Sequence, residues 1–301
     1  MQLEHIVVAT DETDAGRSAA RMGLDLAHRA GARLTFLTVI PAEPEPALVA
    51  IGGGPGAGAA HRNELVITAC DRLAAWLESE LAKAPDVSPP DIGAAFGIPG
   101  IEICRFAEDR RADLLILGRK PRTRAARLLL GDTADAVARR SLVPSLYVPP
   151  GTGPIRRMLV ALDGSERGMI VFRRACLIAA AIGATLSIVT VEPAYANEPE
   201  SLAEALPTAR SQALMDRVAA QAAADQLACL DPAAANGAAP GLVAIRRGDV
   251  VAQVLAAAEA CDADVLAVGY HRGGPPGSME GGSIARRLAH QAPCAFLAVP
   301  L

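Results

Sequence analysis

Glycines, a hydroxyl and a few cations stand together in this chain in a way that suits phosphate chemistry. Residues 269–283 read Gly269-Tyr270-His271-Arg272-Gly273-Gly274-Pro275-Pro276-Gly277-Ser278-Met279-Glu280-Gly281-Gly282-Ser283. An apolar run precedes this segment and a helical pattern follows it. Backbone N–H groups at a helix start, with the helix dipole behind them, favour an anion. Glycines let the backbone approach a ligand closely. The same composition also describes an ordinary surface loop with Ser283 as a plain helix cap. Two aspartates end apolar runs in a similar way. Asp11 follows Ile6-Val7-Val8-Ala9-Thr10, and Asp163 follows Leu159-Val160-Ala161-Leu162. Each is either a ligand-binding carboxylate or a helix-start residue.

Other reactive side chains do not converge. His5, His28, His61, His271 and His290 are scattered without helical ligand spacing. The six cysteines, Cys70, Cys104, Cys176, Cys229, Cys261 and Cys294, form no C-x-x-C pair and no metal-ligand spacing. They sit in apolar runs and read as small buried hydrophobes of a reducing compartment. No G-x-S-x-G elbow or Walker A sequence is present, and no catalytic acid/base pair stands out. No metal site is expected.

The elements that position these residues follow from composition and pattern. With 301 residues the chain is too long for one ordinary core and suits two domains. It is 51% hydrophobic and only 3% aromatic, so its cores are packed from Val, Leu, Ile and Ala. A net charge of −4 gives no global attraction to nucleic acid or to an acidic membrane surface. The first residues do not read as a signal peptide. The uncharged run Ala175–Val191 is broken by Gly183, Thr185, Ser187 and Thr190 into a helix end, a turn and a strand. A cytoplasmic protein with neither a nucleic-acid nor a membrane partner is expected.

The two halves repeat one another. Asp11, Gly31 and Val39 parallel Asp163, Gly183 and Val191 at an offset of 152. Gly118, Gly131 and Pro149 parallel Gly269, Gly282 and Pro300 at an offset of 151, so one net residue is lost in between. Pro149–Pro154 is the seam, which divides the chain into domains 1–150 and 154–301. In the first half, strands are expected at 3–10, 33–40, 92–96, 113–118 and 145–148. Helices are expected at 14–30, 62–83, 100–111 and 133–140. Continuous apolar strands separated by helices indicate an α/β fold, two tandem doubly wound domains each with a parallel sheet covered on both faces. Ligands in such sheets bind beyond the carboxyl ends of the strands, where the strand order reverses.

The combination resembles the universal stress proteins, which carry an aspartate after the first strand and a G-2x-G-9x-G-S/T loop after the fourth. Asp163-Gly164-Ser165, Arg247-Gly248-Asp249, the 269–283 loop and the closing Ala292–Pro300 carry the resemblance, which extends over both halves. It implies a five-stranded sheet in the order 3-2-1-4-5 in each domain. It also implies that the second domain binds an adenine nucleotide, ATP with or without Mg2+. Asp163 would meet the adenosine portion, the Val191 backbone would meet adenine, and Gly269, Gly282 and Ser283 would hold ribose and phosphates. Arg272 occupies the second loop glycine's place, with Gly273 one residue late. It either meets a phosphate or blocks close backbone approach. The corresponding first-half positions are Asp11, Val39, Gly118 and Gly131. The resemblance further implies pairing through the last strands, within the chain as a pseudo-dimer or between chains as a homodimer. Three functions follow, in this order: a nucleotide-binding stress-response protein; a nucleotide-free scaffold with partner loops at 41–60 and 193–200; and a slow ATPase.

The first half departs further. Pro121 replaces the second loop glycine and removes an N–H. Asp132 stands where Ser or Thr belongs. Arg119, Lys120, Arg122, Arg124 and Arg127 form either a solvated basic loop, the favoured reading, or a different anion site. A carboxylate ~4 Å from a phosphate charge costs about 4 kcal/mol at an effective dielectric near 20. Calorimetry on residues 1–150 alone should therefore show ATP binding weaker than in the second domain by about three orders of magnitude. Micromolar affinity there overturns the reading.

Overall fold

Each apolar run ending in aspartate becomes a central strand. The computed structural model describes residues 3–42, 57–82, 88–119, 132–192, 209–224, 243–271 and 283–301. In the first half the strands are β1 (His5–Ala9), β2 (Arg33–Pro41), β3 (Asp91–Gly97), β4 (Leu114–Gly118) and β5 (Ser145–Val148). Its helices are α1 (Asp14–Ala30), α2 (Ala57–Leu81), α3 (Pro99–Asp109) and α4 (Asp132–Arg140). In the second half the strands are β6 (Arg157–Leu162), β7 (Thr185–Glu192), β8 (Val243–Arg247), β9 (Val265–Tyr270) and β10 (Ala295–Pro300). Its helices are α5 (Glu166–Ala181), α6 (Ala209–Ala224), α7 (Val250–Ala260) and α8 (Ser283–Gln291). The described parts of 4–151 and of 152–301 form two compact units.

Both units have the expected strand order. It is β3-β2-β1-β4-β5 in the first and β8-β7-β6-β9-β10 in the second, with parallel pairing within each. The stagger of the first two strands is the same in the two units, His5 opposite Arg33 and Arg157 opposite Thr185. The next pairing differs by one residue, Thr35 opposite Asp91 against Ile188 opposite Val243. The net deletion therefore lies between the second and third strands of the repeat. β1 is buried along its whole length, as a strand covered on both faces must be.

An aspartate ties the start of the first strand to the start of the fourth. Asp113 Oδ2 accepts from the Glu4 N–H at 2.8 Å and the His5 N–H at 3.0 Å. In the second unit Asp264 Oδ2 accepts from the Arg156 N–H at 2.9 Å and the Arg157 N–H at 2.8 Å. These carboxylates satisfy backbone donors that lie outside the ladder.

Helix ends are repeated as well. Gly31 and Gly183 take left-handed φ of 64° and 62°, the usual place for glycine. Arg111 and Asp262 take φ of 52° and 46° at the ends of α3 and α7, where no glycine is available. An alanine follows each of the four and donates back five residues, from Ala32, Ala112, Ala184 and Ala263. That 6→1 bond closes the last helical turn. Pattern reading extended α3 through Arg111, whereas the helix stops at Asp109 and the next two residues make the turn. α2 begins at Ala57, a turn before the expected start, and its inward face includes the buried Ala69, Leu73 and Leu77. Cys104 and Cys176 are buried, and burial pushes the Cys104 thiol up to about 11. Among the described residues no helix is long and apolar enough to cross a membrane.

His5 opens β1 at 3% exposure. Its Nε2 lies 2.8 Å from Thr35 Oγ1, and its Nδ1 lies 3.0 Å from the Arg110 carbonyl and 3.1 Å from Arg33 Nη2. Burial is the largest influence and pushes its pKa below 6.5; the Arg110 carbonyl opposes this, the Arg33 charge adds to it, and Asp113 opposes it. Protonation thus favours the unfolded chain. The contribution of neutral His5 is complete above pH 6.5 and is lost as pH falls below that toward the folded-state value. Urea denaturation between pH 7 and pH 5 should show a shallower acid-side loss of stability in His5→Gln than in the unaltered protein. Equal slopes contradict the assignment.

Candidate functional site

The turn from β6 into α5 is built around Asp163. Its Oδ1 accepts from the Ser165 N–H at 3.0 Å and from the Ser165 hydroxyl at 2.7 Å. With its proton so directed, Ser165 Oγ accepts from the Gly168 N–H at 3.1 Å and caps the helix. The first unit repeats the relay. Asp11 Oδ1 accepts from the Thr13 N–H at 3.3 Å and its hydroxyl at 2.6 Å, and Thr13 Oγ1 accepts from the Gly16 N–H at 3.2 Å. The caps are thus Thr13 and Ser165, and the aspartates orient them from two residues upstream. A Cβ on Gly16 would stand 2.4 Å from Thr10 Oγ1 and 3.0 Å from Asp11 Oδ1, and one on Gly168 would stand 3.0 Å from Asp163 Oδ1, so both positions are tight for a side chain.

The residue between aspartate and cap has positive φ in both units, 62° at Glu12 and 74° at Gly164. Glycine takes that conformation freely, whereas Glu12 bears the steric cost of a side chain. An arginine from the helix after the second strand grips each turn. Arg72 Nε meets Glu12 Oε1 at 2.9 Å. Arg217 donates to Glu166 Oε1 at 2.6 Å and to the Gly164 carbonyl at 2.5 Å.

Other sequence candidates lie at the same end of each sheet. The β6–β7 ladder ends at Leu162 opposite Thr190, which places Asp163 beside Val191 just beyond it. Val191 is half-buried and pairs onward with Arg246 of β8. In the first unit Ala9 opposite Leu37 brings Asp11 toward Val39 likewise. Gly269 lies within β9, and α8 begins at Ser283. Gly131, Arg272, Gly273 and Gly282, with the 41–60 and 193–200 loops beyond Ala42 and before Ala57, lie outside the described residues, as does the side chain of Ser283.

Gly118 and Gly269 have packing reasons to be glycine. A Cβ on Gly118 would stand 2.4 Å from the Ala15 carbonyl carbon, forcing β4 away from α1. One on Gly269 would meet Leu301 Cδ1 at 2.7 Å and Val171 Cγ2 at 2.9 Å. The expectation of a solvated basic loop fails at its first member, since Arg119 is only 6% exposed. Its N–H donates to the Val148 carbonyl at 2.8 Å, which draws its backbone into the sheet. Residues 120–131 lie outside the described set.

Sequence reading missed the hydroxyl and glycine partners of the aspartates. The signal was a D-x-S/T-x-x-G pattern, Asp11-Glu12-Thr13-Asp14-Ala15-Gly16 and Asp163-Gly164-Ser165-Glu166-Arg167-Gly168, repeated at the offset of 152. It also missed a buried polar cluster at the end of β7. There Glu192 accepts from Ser211 Oγ at 2.5 Å and from Arg247 Nε at 3.1 Å. Their register counterparts in the first unit are Ile40 and Phe96.

The sequence profile of the universal stress protein family matches residues 2–149 and again 154–300. The chain belongs to the universal stress protein family. A universal stress protein of Methanocaldococcus jannaschii is 27% identical over 145 residues, 48% of this chain and 80% of that protein. The crystal structure of a universal stress protein from Archaeoglobus fulgidus covers 100% of this chain and 99% of its own, at TM-score 0.66 and 18% identity. A functionally unknown protein from Pseudomonas aeruginosa covers 99% and 92%, at TM-score 0.57 and 16% identity. These structures share the fold of this tandem universal stress protein over its full length.

The relay accounts for both aspartates without any ligand, and it has a measurable consequence. Thr13→Ala and Ser165→Ala should each lower the stability of their own unit by about 1 kcal/mol, read from urea denaturation. No change in either variant removes the capping role.

Proposed function

We propose that this is a stress-response protein whose second unit binds an adenine nucleotide, ATP, and does not turn it over. The observation that carries this is convergence at the point where the strand order reverses. β6 lies between β7 and β9 there. Asp163, the end of β7 at Val191 and the end of β9 after Gly269 all open on that end of the sheet, the usual place for a ligand in such folds.

The donor set suits a nucleotide with a phosphate chain. Asp163 offers a carboxylate to ribose hydroxyls, and the backbone at Val191 offers groups that pair with adenine. In this reading the backbone after Gly269 and at Gly282 would hold the sugar and phosphates, and the α8 start at Ser283 offers N–H groups to an anion. Mg2+ would arrive bound to the phosphate chain. The reading includes no catalytic step, because Asp163 Oδ1 is committed to the helix cap rather than poised as a base. The first unit carries no nucleotide in this reading, since α4 begins at Asp132 where α8 begins at Ser283. We place the protein in the cytoplasm, with a protein partner not identified by its chemistry.

One observation favours a second reading, a nucleotide-free scaffold. The aspartate relay is the same in both units, so Asp163 has a structural reason to exist apart from any ligand. Purification of the full chain, acid extraction and nucleotide analysis separate the two. Co-purified adenine nucleotide, lost in Gly282→Asp, is the expected result. A full chain that neither retains nor takes up nucleotide supports the scaffold, and a Gly282→Asp variant that keeps it overturns the site.

A further inference from the structure

We propose that Arg167 and His271 are the side chains by which the second unit recognises the phosphate chain of its nucleotide. The inference rests on the reading given under Proposed function and adds a charge-selecting pair to it. Arg167 follows β6, in the first turn of α5, and His271 follows β9. β6 and β9 are the two neighbouring strands between which the order reverses. Arg167 Nη1 lies 3.5 Å from His271 Nδ1, so the pair bridges the mouth of the crevice.

Two features distinguish this pair from a surface contact made for stability, the weakness of its contact and its place on the helix. Among the described residues Arg17 and Arg21 reach Glu80, Arg217 reaches Glu166 and Arg247 reaches Glu192, while Arg33 reaches the buried His5 and Arg173 reaches Gln221, both at 3.1 Å. Arg167 meets an exposed imidazole at 3.5 Å, the outer limit of a hydrogen bond. Its nearest acid in sequence, Glu166, is already engaged by Arg217. Arg167 also sits in the first turn of its helix, where the dipole disfavours a cation. Stability alone does not explain a cation placed against the dipole and left with a weakly bonded imidazole.

An anion in the crevice resolves both points. A guanidinium offers two parallel N–H groups to phosphate oxygens, and imidazole offers one more. Exchanging a 3.5 Å contact for charge-assisted bonds is favourable without moving the backbone. The first unit lacks the guanidinium, because the counterpart of Arg167 at the repeat offset is Ala15, a buried residue whose backbone packs against Gly118. The pair also supplies cationic contacts in the loop whose second glycine position is taken by Arg272.

The test is calorimetric titration of the full chain with ATP and with adenosine, for the unaltered protein, Arg167→Gln and His271→Gln. Both side chains are exposed, so the variants should melt as the unaltered protein does. The expected result is tighter binding of ATP than of adenosine in the unaltered protein. In Arg167→Gln the ATP-to-adenosine affinity ratio should fall about tenfold or more, and by less in His271→Gln, with adenosine affinity unchanged. Arg156→Gln makes the same charge change at the opposite end of β6 and should leave the ratio alone. An unchanged ratio in Arg167→Gln overturns the inference, and so does an equal fall in Arg156→Gln. If the unaltered protein binds ATP and adenosine equally, the nucleotide reading stands and the inference falls. If it binds neither, both fall.

Discussion

A carboxylate that cannot leave its turn governs how each unit is put together. The first strand must turn sharply into its helix at the end of the sheet where the crevice opens. Asp11 and Asp163 make that turn by accepting the hydroxyl of Thr13 or Ser165, which frees the hydroxyl's lone pair for the helix N–H. A helix begins with unpaired donors, and this relay satisfies one of them with a partner already aligned. A side chain at Gly16 would press on Thr10 and Asp11 and one at Gly168 on Asp163, and Gly118 is bare because β4 packs on the same helix start. At the other end of the sheet Asp113 and Asp264 fasten the first strand to the fourth. The strand order and the crevice are both held by these short-range carboxylate bonds.

Much of this was legible because parallel strands buried on both faces leave continuous apolar runs. Ile6–Ala9, Leu114–Leu117 and Val265–Val268 could not be read as anything exposed, and the offset between halves located the second copy of each. Helix ends were less legible. Gly31 and Gly183 announce a left-handed turn, but Arg111 and Asp262 make the same turn with side chains that give no such signal. The following alanine, present at all four ends, is too common a residue to be read as a cap. The site was legible as positions but not as bonds. An aspartate after a strand is compatible with a ligand, a cap or a cap's partner, and only the geometry separates the cap from the cap's partner.

Arg119 shows where composition misleads. A run of cations in a glycine-poor loop reads as solvated, yet its first member lies in line with Tyr270 of the other unit at the repeat offset of 151. Tyr270 is buried too, and both main chains are drawn into the sheet by the last strand, Arg119 through Val148 and Tyr270 through its pairing with Pro300. Backbone position, not side-chain polarity, decides which residues after the fourth strand are enclosed.

The shared and the divergent residues separate cleanly by what the fold demands. Bonds that close the turn after the first strand, cap the helix that follows it and fasten the strand starts occur in both units with closely similar geometry, whereas α7 is capped by Asp249 and its counterpart α3, with Ile98 at the cap position, has no side-chain cap. Differences appear one residue away from those demands. Ala15 stands where the second unit has Arg167, Glu12 where it has Gly164, Arg119 where it has Tyr270, and the apolar Ile40–Phe96 pair where it has the ionic Glu192–Arg247 pair. Each unit also holds the helix after its second strand with a buried acid, but not the same one. Glu80 sits on α2 and takes Arg17 and Arg21 from α1, whereas Glu192 sits on β7 and takes Ser211 from α6. Losing its cationic partners, Arg17 and Arg21 for Glu80 or Arg247 for Glu192, would strip a buried acid of compensation in low dielectric, so each unit is committed to its own solution. A duplicated fold with fixed turn chemistry has freedom to change mainly at the crevice rim. That is where a difference in ligand between the two units has to be written, because a change closer to the aspartate relay would unmake the turn that forms the crevice.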